Sequence, residues 1–175
     1  MAFINLLNIF KFVASCSLFL IAMSSIATAQ QQPPQRSTER FGDWSALCTV
    51  NEPLSCHIKH QILLGNSSKP ALEINIGRPN TNPSNVIMIV TLPLGIRLPE
   101  GFRIQVGDKI DRQYPFIRCI HSGCQSELSF DEELLDSFKK GNEGRIIISD
   151  AINKKVAIPF SLKGFTKAFG RVTNP

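Results

Sequence analysis

The stretch Phe41-Gly42-Asp43-Trp44-Ser45-Ala46-Leu47-Cys48, followed after a turn by Cys56-His57-Ile58-Lys59-His60-Gln61-Ile62-Leu63-Leu64, decides the fold class. In the first segment a period of two puts Trp44, Ala46 and Cys48 on one face; in the second it does the same for Cys56, Ile58, His60 and Ile62. Between them Asn51, Pro53 and Ser55 supply turn chemistry. Two strands flanking a short turn, with a cysteine on each, can bring the sulfurs within bonding reach.

Outward from this pair the pattern continues. Residues 65–70 read as a turn. Residues 71–77 alternate at Leu72, Ile74 and Ile76, as a strand with one wet face. The run Val86-Ile87-Met88-Ile89-Val90 is apolar on both faces and mostly β-branched, which predicts a central strand ended by Pro93. Phe102, Ile104 and Val106 alternate with polar residues, and Gly107-Asp108-Lys109 is a turn. Short strands are expected over 114–119, 125–129, 145–149 and 155–160. One helix is well marked: Ser129 as N-cap with Glu132 three residues on, acidic residues in the first turn, Lys139-Lys140 in the last, and Gly141 as the stop. A short terminal helix is expected over 164–172. About nine closely spaced strands with one or two short helices define an all-β fold, a β-sandwich.

The N-terminus reads as a secretory leader. Lys11 precedes the apolar run 12–23, and Ala27-Thr28-Ala29 places small residues where a signal peptidase reads, so cleavage is expected after Ala29. The apolar run is short for a span of ~20 residues. The competing readings are an uncleaved anchor and a lipid-modified Cys16, the latter disfavoured because an apolar run would follow the acylated cysteine. Residues 1–29 are thus a signal peptide, 30–40 (Gln- and Pro-rich) a flexible linker, and 41–175 the folded domain. Loss of the leader leaves Cys48, Cys56, Cys119 and Cys124. An even number in an exported chain reads as two disulfides. Three pairings are open, and sequence separation favours the local one.

Charge excludes one class of partner. The net charge is +5, and only Lys11 of it lies in the leader. That mild excess permits attraction to anionic lipid or glycan, and peripheral association with a membrane, but falls short of a nucleic-acid signature. The basic residues Lys139-Lys140, Lys154-Lys155, Lys163 and Lys167 would form a cationic patch only if their loops cluster. Cys56-His57-x-x-His60 has metal-ligand residue types, yet alternation puts His57 and His60 on opposite faces, and an oxidised Cys56 is a poor ligand. Cys119 and Cys124 enclose four residues, unlike the two of a redox pair at a helix N-terminus. No nucleophile elbow or phosphate loop is present. No catalytic residue, metal or cofactor is therefore expected.

Further motifs recur in order: Gly42-Asp43-Trp44 with Cys48, Cys56 and Gln61; Leu92-Pro93-Leu94-Gly95 with Leu98-Pro99-x-Gly101; Pro115-Phe116-x-x-Cys119 with Gly123-Cys124; and Pro159-x-Ser161-Leu162-Lys163-Gly164-Phe165 with Ala168. In this order, with both cysteine pairs, the chain resembles the invasion-associated locus B family of secreted alphaproteobacterial proteins, over residues 41–169. The resemblance implies an immunoglobulin-like sandwich and a role in association with, and invasion of, host cells, notably erythrocytes. It implies an exported protein in the periplasm, at the envelope surface or outside the cell. Its partner would be a host-cell surface or bacterial envelope component. The alternative is a periplasmic module of envelope maintenance or assembly with indirect effects on invasion. The resemblance transfers no catalytic residue, since the shared positions are cysteines, Trp, Pro and Gly, which make the fold. It is loosest over 107–113.

Overall fold

The computed structural model describes residues 36–51, 53–63, 65 and 69–175. The leader, its cleavage after Ala29, Cys16 and residues 30–35 of the expected linker lie outside the described residues.

The expected first strand is a hairpin. Strand β1 (Arg36–Phe41) turns at Gly42-Asp43 into β2 (Trp44–Thr49), and the two pair antiparallel from Arg36↔Thr49 to Phe41↔Trp44. The linker boundary therefore moves: residues 36–40 belong to the fold. Their side chains are exposed, so burial does not make this strand. The β2 ladder does, with an ion pair from Glu39 to Arg171 at 3.0 Å. A meander follows through β3 (Cys56–Leu63), β4 (Pro70–Gly77) and β5 (Ile87–Leu92). All of the apolar run 86–90 but Val86 thus lies in an interior strand, between β4 and β9 (Gly123–Ser129).

After Pro93 the chain crosses to a second sheet. Strands β6 (Phe102–Val106) and β7 (Ile110–Tyr114) form a hairpin about the Gly107 turn. The expected strand over 114–119 divides: Tyr114 ends β7, Pro115 interrupts, and β8 (Arg118–Ile120) returns to the first sheet beside β9. Helix α1 (Glu132–Lys140) then leads to the hairpin β10 (Glu143–Ser149) and β11 (Lys155–Ser161), and α2 (Phe165–Thr173) completes the described chain. The sheets have the orders β1-β2-β3-β4-β5-β9-β8 and β11-β10-β6-β7. This is the sandwich that the alternation anticipates, with two strands, β1 and β7, added to the count.

The cap of α1 differs from expectation. Ser129 stays in the ladder opposite Ile87, with an extended backbone, and Asp131 caps instead, its side chain accepting from the Leu134 N–H at 2.9 Å. Glu132 and Glu133 begin the helix and Lys139 and Lys140 end it, as the helix dipole favours.

One core joins both sheets and both helices. Leu72, Ile74 and Ile76 of β4 and Met88, Val90 and Leu92 of β5 belong to the same buried cluster as Phe102, Ile104, Ile146, Ile158 and Phe160 of the second sheet. Each such side chain contributes about 1.5–3 kcal/mol by leaving water. Helix α2 covers the β1–β4 part of the first sheet and buries Phe165, Ala168, Phe169 and Val172. Phe165 meets Trp44 edge-on at 5.2 Å and Phe138 of α1 at 5.3 Å. Two cystines fasten the first sheet. Cys48 and Cys56 are directly opposed on β2 and β3, and Cys119 and Cys124 on β8 and β9, with Cα separations of 4.1 and 3.9 Å. Among the described residues no helix is long and apolar enough to cross a membrane.

Candidate functional site: a basic cleft beside the first turn

The Gly42-Asp43 turn is held against the connection between β11 and α2. The Asp43 N–H donates to the Lys163 carbonyl at 3.1 Å, and the Trp44 indole N–H to the Ser161 carbonyl at 3.0 Å. His60 stacks on Trp44, with ring centroids 5.2 Å apart, and its Nδ1 donates to the Asp43 carbonyl at 2.7 Å. Close approach demands glycine on both sides. A Cβ on Gly164, whose φ is +89°, would fall 1.9 Å from the Phe41 carbonyl oxygen. A Cβ on Gly42 would fall 2.6 Å from that of Lys163.

A third segment joins them. The Leu162 N–H donates to the Asn142 carbonyl at 2.9 Å, and the Thr166 hydroxyl to the Lys139 carbonyl at 3.5 Å. The end of β1, the end of α1 and the start of α2 thus enclose a cleft of about 870 Å³. Arg40, Lys139, Lys163 and Lys167 line it, together with the neutral polar residues Asn142, Ser161 and Thr166, and no carboxylate is among the lining residues. None of the four cations makes an ion pair among the described residues. The Lys139 ammonium lies 5.6 Å from the Phe169 ring centroid, a cation–π contact that leaves its charge uncompensated. Gly164 gives α2 no side-chain cap, so the positive end of that helix adds to the field. Four unpaired cations around a concavity suit a multiply charged anionic group.

The basic residues singled out in the sequence therefore separate. Lys139, Lys163 and Lys167 converge here. Lys140 turns away to Asp136 at 2.8 Å. Lys154 and Lys155 sit at the far end of the β10–β11 hairpin, where the Lys155 ammonium bonds Glu100 at 2.6 Å. That ammonium and the Ser149 hydroxyl hold the Glu100 carboxyl at about 2. Arg40, at the end of the expected linker, is the cation of the cleft that the sequence pattern does not single out. The signal for it was Gly42-Asp43 itself, a two-residue connection of the kind that joins hairpin strands.

The histidines stand apart. His60 is buried and faces inward; its neighbour His57 lies on the outer face of the first sheet, as alternation required, while His121 is in the β8–β9 turn. Burial, with Arg36 and Lys59 nearby, lowers the His57 pKa. Among the described residues no group of three or more His, Cys, Asp or Glu is arranged to hold a metal ion.

This architecture defines a class: a small β-sandwich with two cystines and a basic cleft where its first turn meets its last helix. Residues 44–173 match the family described as invasion associated locus B (IalB) protein, and the chain belongs to that family. The crystal structure of invasion associated protein B from Bartonella henselae is similar to it, with a TM-score of 0.68 at 21% identity, covering 79% of this chain and 95% of the other. That likeness shows the common fold. No match was found among the curated proteins.

Proposed function

We propose that the chain is an exported, non-enzymatic factor that promotes association with and invasion of host cells, erythrocytes in particular, by binding an anionic group through the basic cleft. The observation that carries the binding reading is the convergence of Arg40, Lys139, Lys163 and Lys167 on one concavity without a paired carboxylate. The family supplies the biological setting. The two cystines support export, since such bonds persist in oxidising compartments. The separation of the three histidines, one of them committed to the core, supports a binding role over acid–base chemistry.

Fractionation of the producing bacterium, paired with binding of the purified exported protein to host cells over a salt series, tests this reading. The expected result is protein at the cell surface or in the medium, with binding that weakens as salt screens the cleft. Protein confined to the periplasm, with no host-cell binding at any ionic strength, would overturn it in favour of an envelope-maintenance module.

A further inference from the structure

We propose that the end of the sandwich farthest along β10 from the cleft is a docking surface for an anionic lipid bilayer. Eight large apolar side chains are exposed among the described residues, and five of them, Leu94, Leu98, Ile117, Ile120 and Ile152, lie on or beside the loops at this end. Strand register places them together. The start of β4 lies beside the end of β5, which opposes Cys124, next to the β8–β9 turn. Pro93, Leu94, His121 and Ser122 share one hollow with Pro70. On the second sheet, Ile96 bridges to Asp150, and the Arg97 N–H donates to the Ser149 carbonyl at 2.9 Å.

These side chains are held outward by rigid turns. Asp150 accepts from the Ile152 N–H at 3.0 Å and the Lys154 N–H at 2.8 Å, which fixes Ile152 at the tip with 83% of its surface in water. Glu100 ties the 93–101 connection to this turn through Ser149 and Lys155, both at 2.6 Å. The Cys119–Cys124 bond closes the turn beside Ile120. Soluble domains seldom present so many aliphatic tips at one end.

Charge selects the occupant. The basic residues at this end are Lys69, Arg97, Arg118, Lys154 and Lys155, against Glu100 and Asp150. A second copy of the chain would bring the same positive fringe and be repelled. Anionic headgroups complement it, and aliphatic side chains that enter the headgroup–acyl boundary supply the rest of the attraction. The β10 strand that separates this end from the cleft is seven residues long, roughly 20 Å.

Co-sedimentation of the exported protein with phosphatidylcholine vesicles, with and without phosphatidylglycerol, tests the proposal, with thermal melts to confirm folding. Binding is expected only where phosphatidylglycerol is present. It should fall about tenfold or more in the double variant Leu94→Ser/Ile152→Ser, and persist in Lys163→Glu/Lys167→Glu, which alters only the cleft. Three results would overturn it: no binding to phosphatidylglycerol vesicles, binding unchanged in the serine variant, or binding lost only in the glutamate variant, which would assign the lipid to the cleft.

Discussion

The indole N–H of Trp44, on the second strand of the large sheet, donates to the carbonyl oxygen of Ser161, at the end of the last strand of the small sheet, across 117 residues of sequence. The bond closes the sandwich beside the basic cleft and fixes the turn that follows β1, the strand that carries Arg40. Replacing Trp44 by Phe keeps most of the apolar surface and leaves the Ser161 carbonyl without this donor. The cost should be about 1–3 kcal/mol, read as a lower urea midpoint at unchanged slope.

Gly164 and Gly170 offer a matched pair. Gly164 has positive φ and its missing Cβ is replaced by the Phe41 carbonyl, whereas a Cβ on Gly170, inside α2, meets nothing within 4 Å. Gly164→Ala should destabilise by more than about 2 kcal/mol. Gly170→Ala should stabilise by about 0.5–1 kcal/mol. Thermal melts of the two variants check the sign of each.

The Cys48–Cys56 bond closes a loop with a sequence separation of 8. In the chain-entropy model, loops this short stabilise by roughly 2–3 kcal/mol. The double variant Cys48→Ala/Cys56→Ala should lose about that much in denaturant unfolding, and reductant should then have a smaller effect on it than on the native protein.

Acid should weaken the domain in two windows. His57 has an ordinary value of 6.5 that burial, Arg36 and Lys59 lower in the folded state. The unfolded chain therefore takes the proton first, and stability falls as pH drops through 6.5. His57→Gln should remove that portion of the slope. Lys155 and Ser149 depress Glu100 to about 2, and the Leu134 N–H, with Arg112, depresses Asp131. Their contributions are complete above the ordinary carboxylate range and are lost as pH falls below it toward the folded values. Melting temperatures of the native protein and the His57→Gln variant across pH separate the windows.

Legibility in the sequence followed burial. Strands with one apolar face, such as β4 with Leu72, Ile74 and Ile76, announce themselves, and so does a hairpin marked by a cysteine on each arm. Strands β1 and β7 do not. Arg36-Ser37-Thr38-Glu39-Arg40 is polar throughout and is extended because β2 offers it a ladder, and Ile110-Asp111-Arg112-Gln113-Tyr114 is a mostly polar edge. Asp131 outcompeted Ser129 as the cap because Ser129 was already paired to β5. The cleft was the least legible feature. Its cations come from positions 40, 139, 163 and 167, and they meet only because two glycine-bearing turns interlock, a tertiary fact with no local period.

In the proposed role the cleft is the contact surface for an anionic partner on host cells. Host-cell binding by the Lys163→Glu/Lys167→Glu variant, with an unchanged melting temperature, measures it most directly. Both side chains are exposed, so the fold should survive, while binding should fall by about tenfold or more and lose its dependence on salt. Binding equal to that of the native protein at every ionic strength would mean that the cleft is not the contact surface.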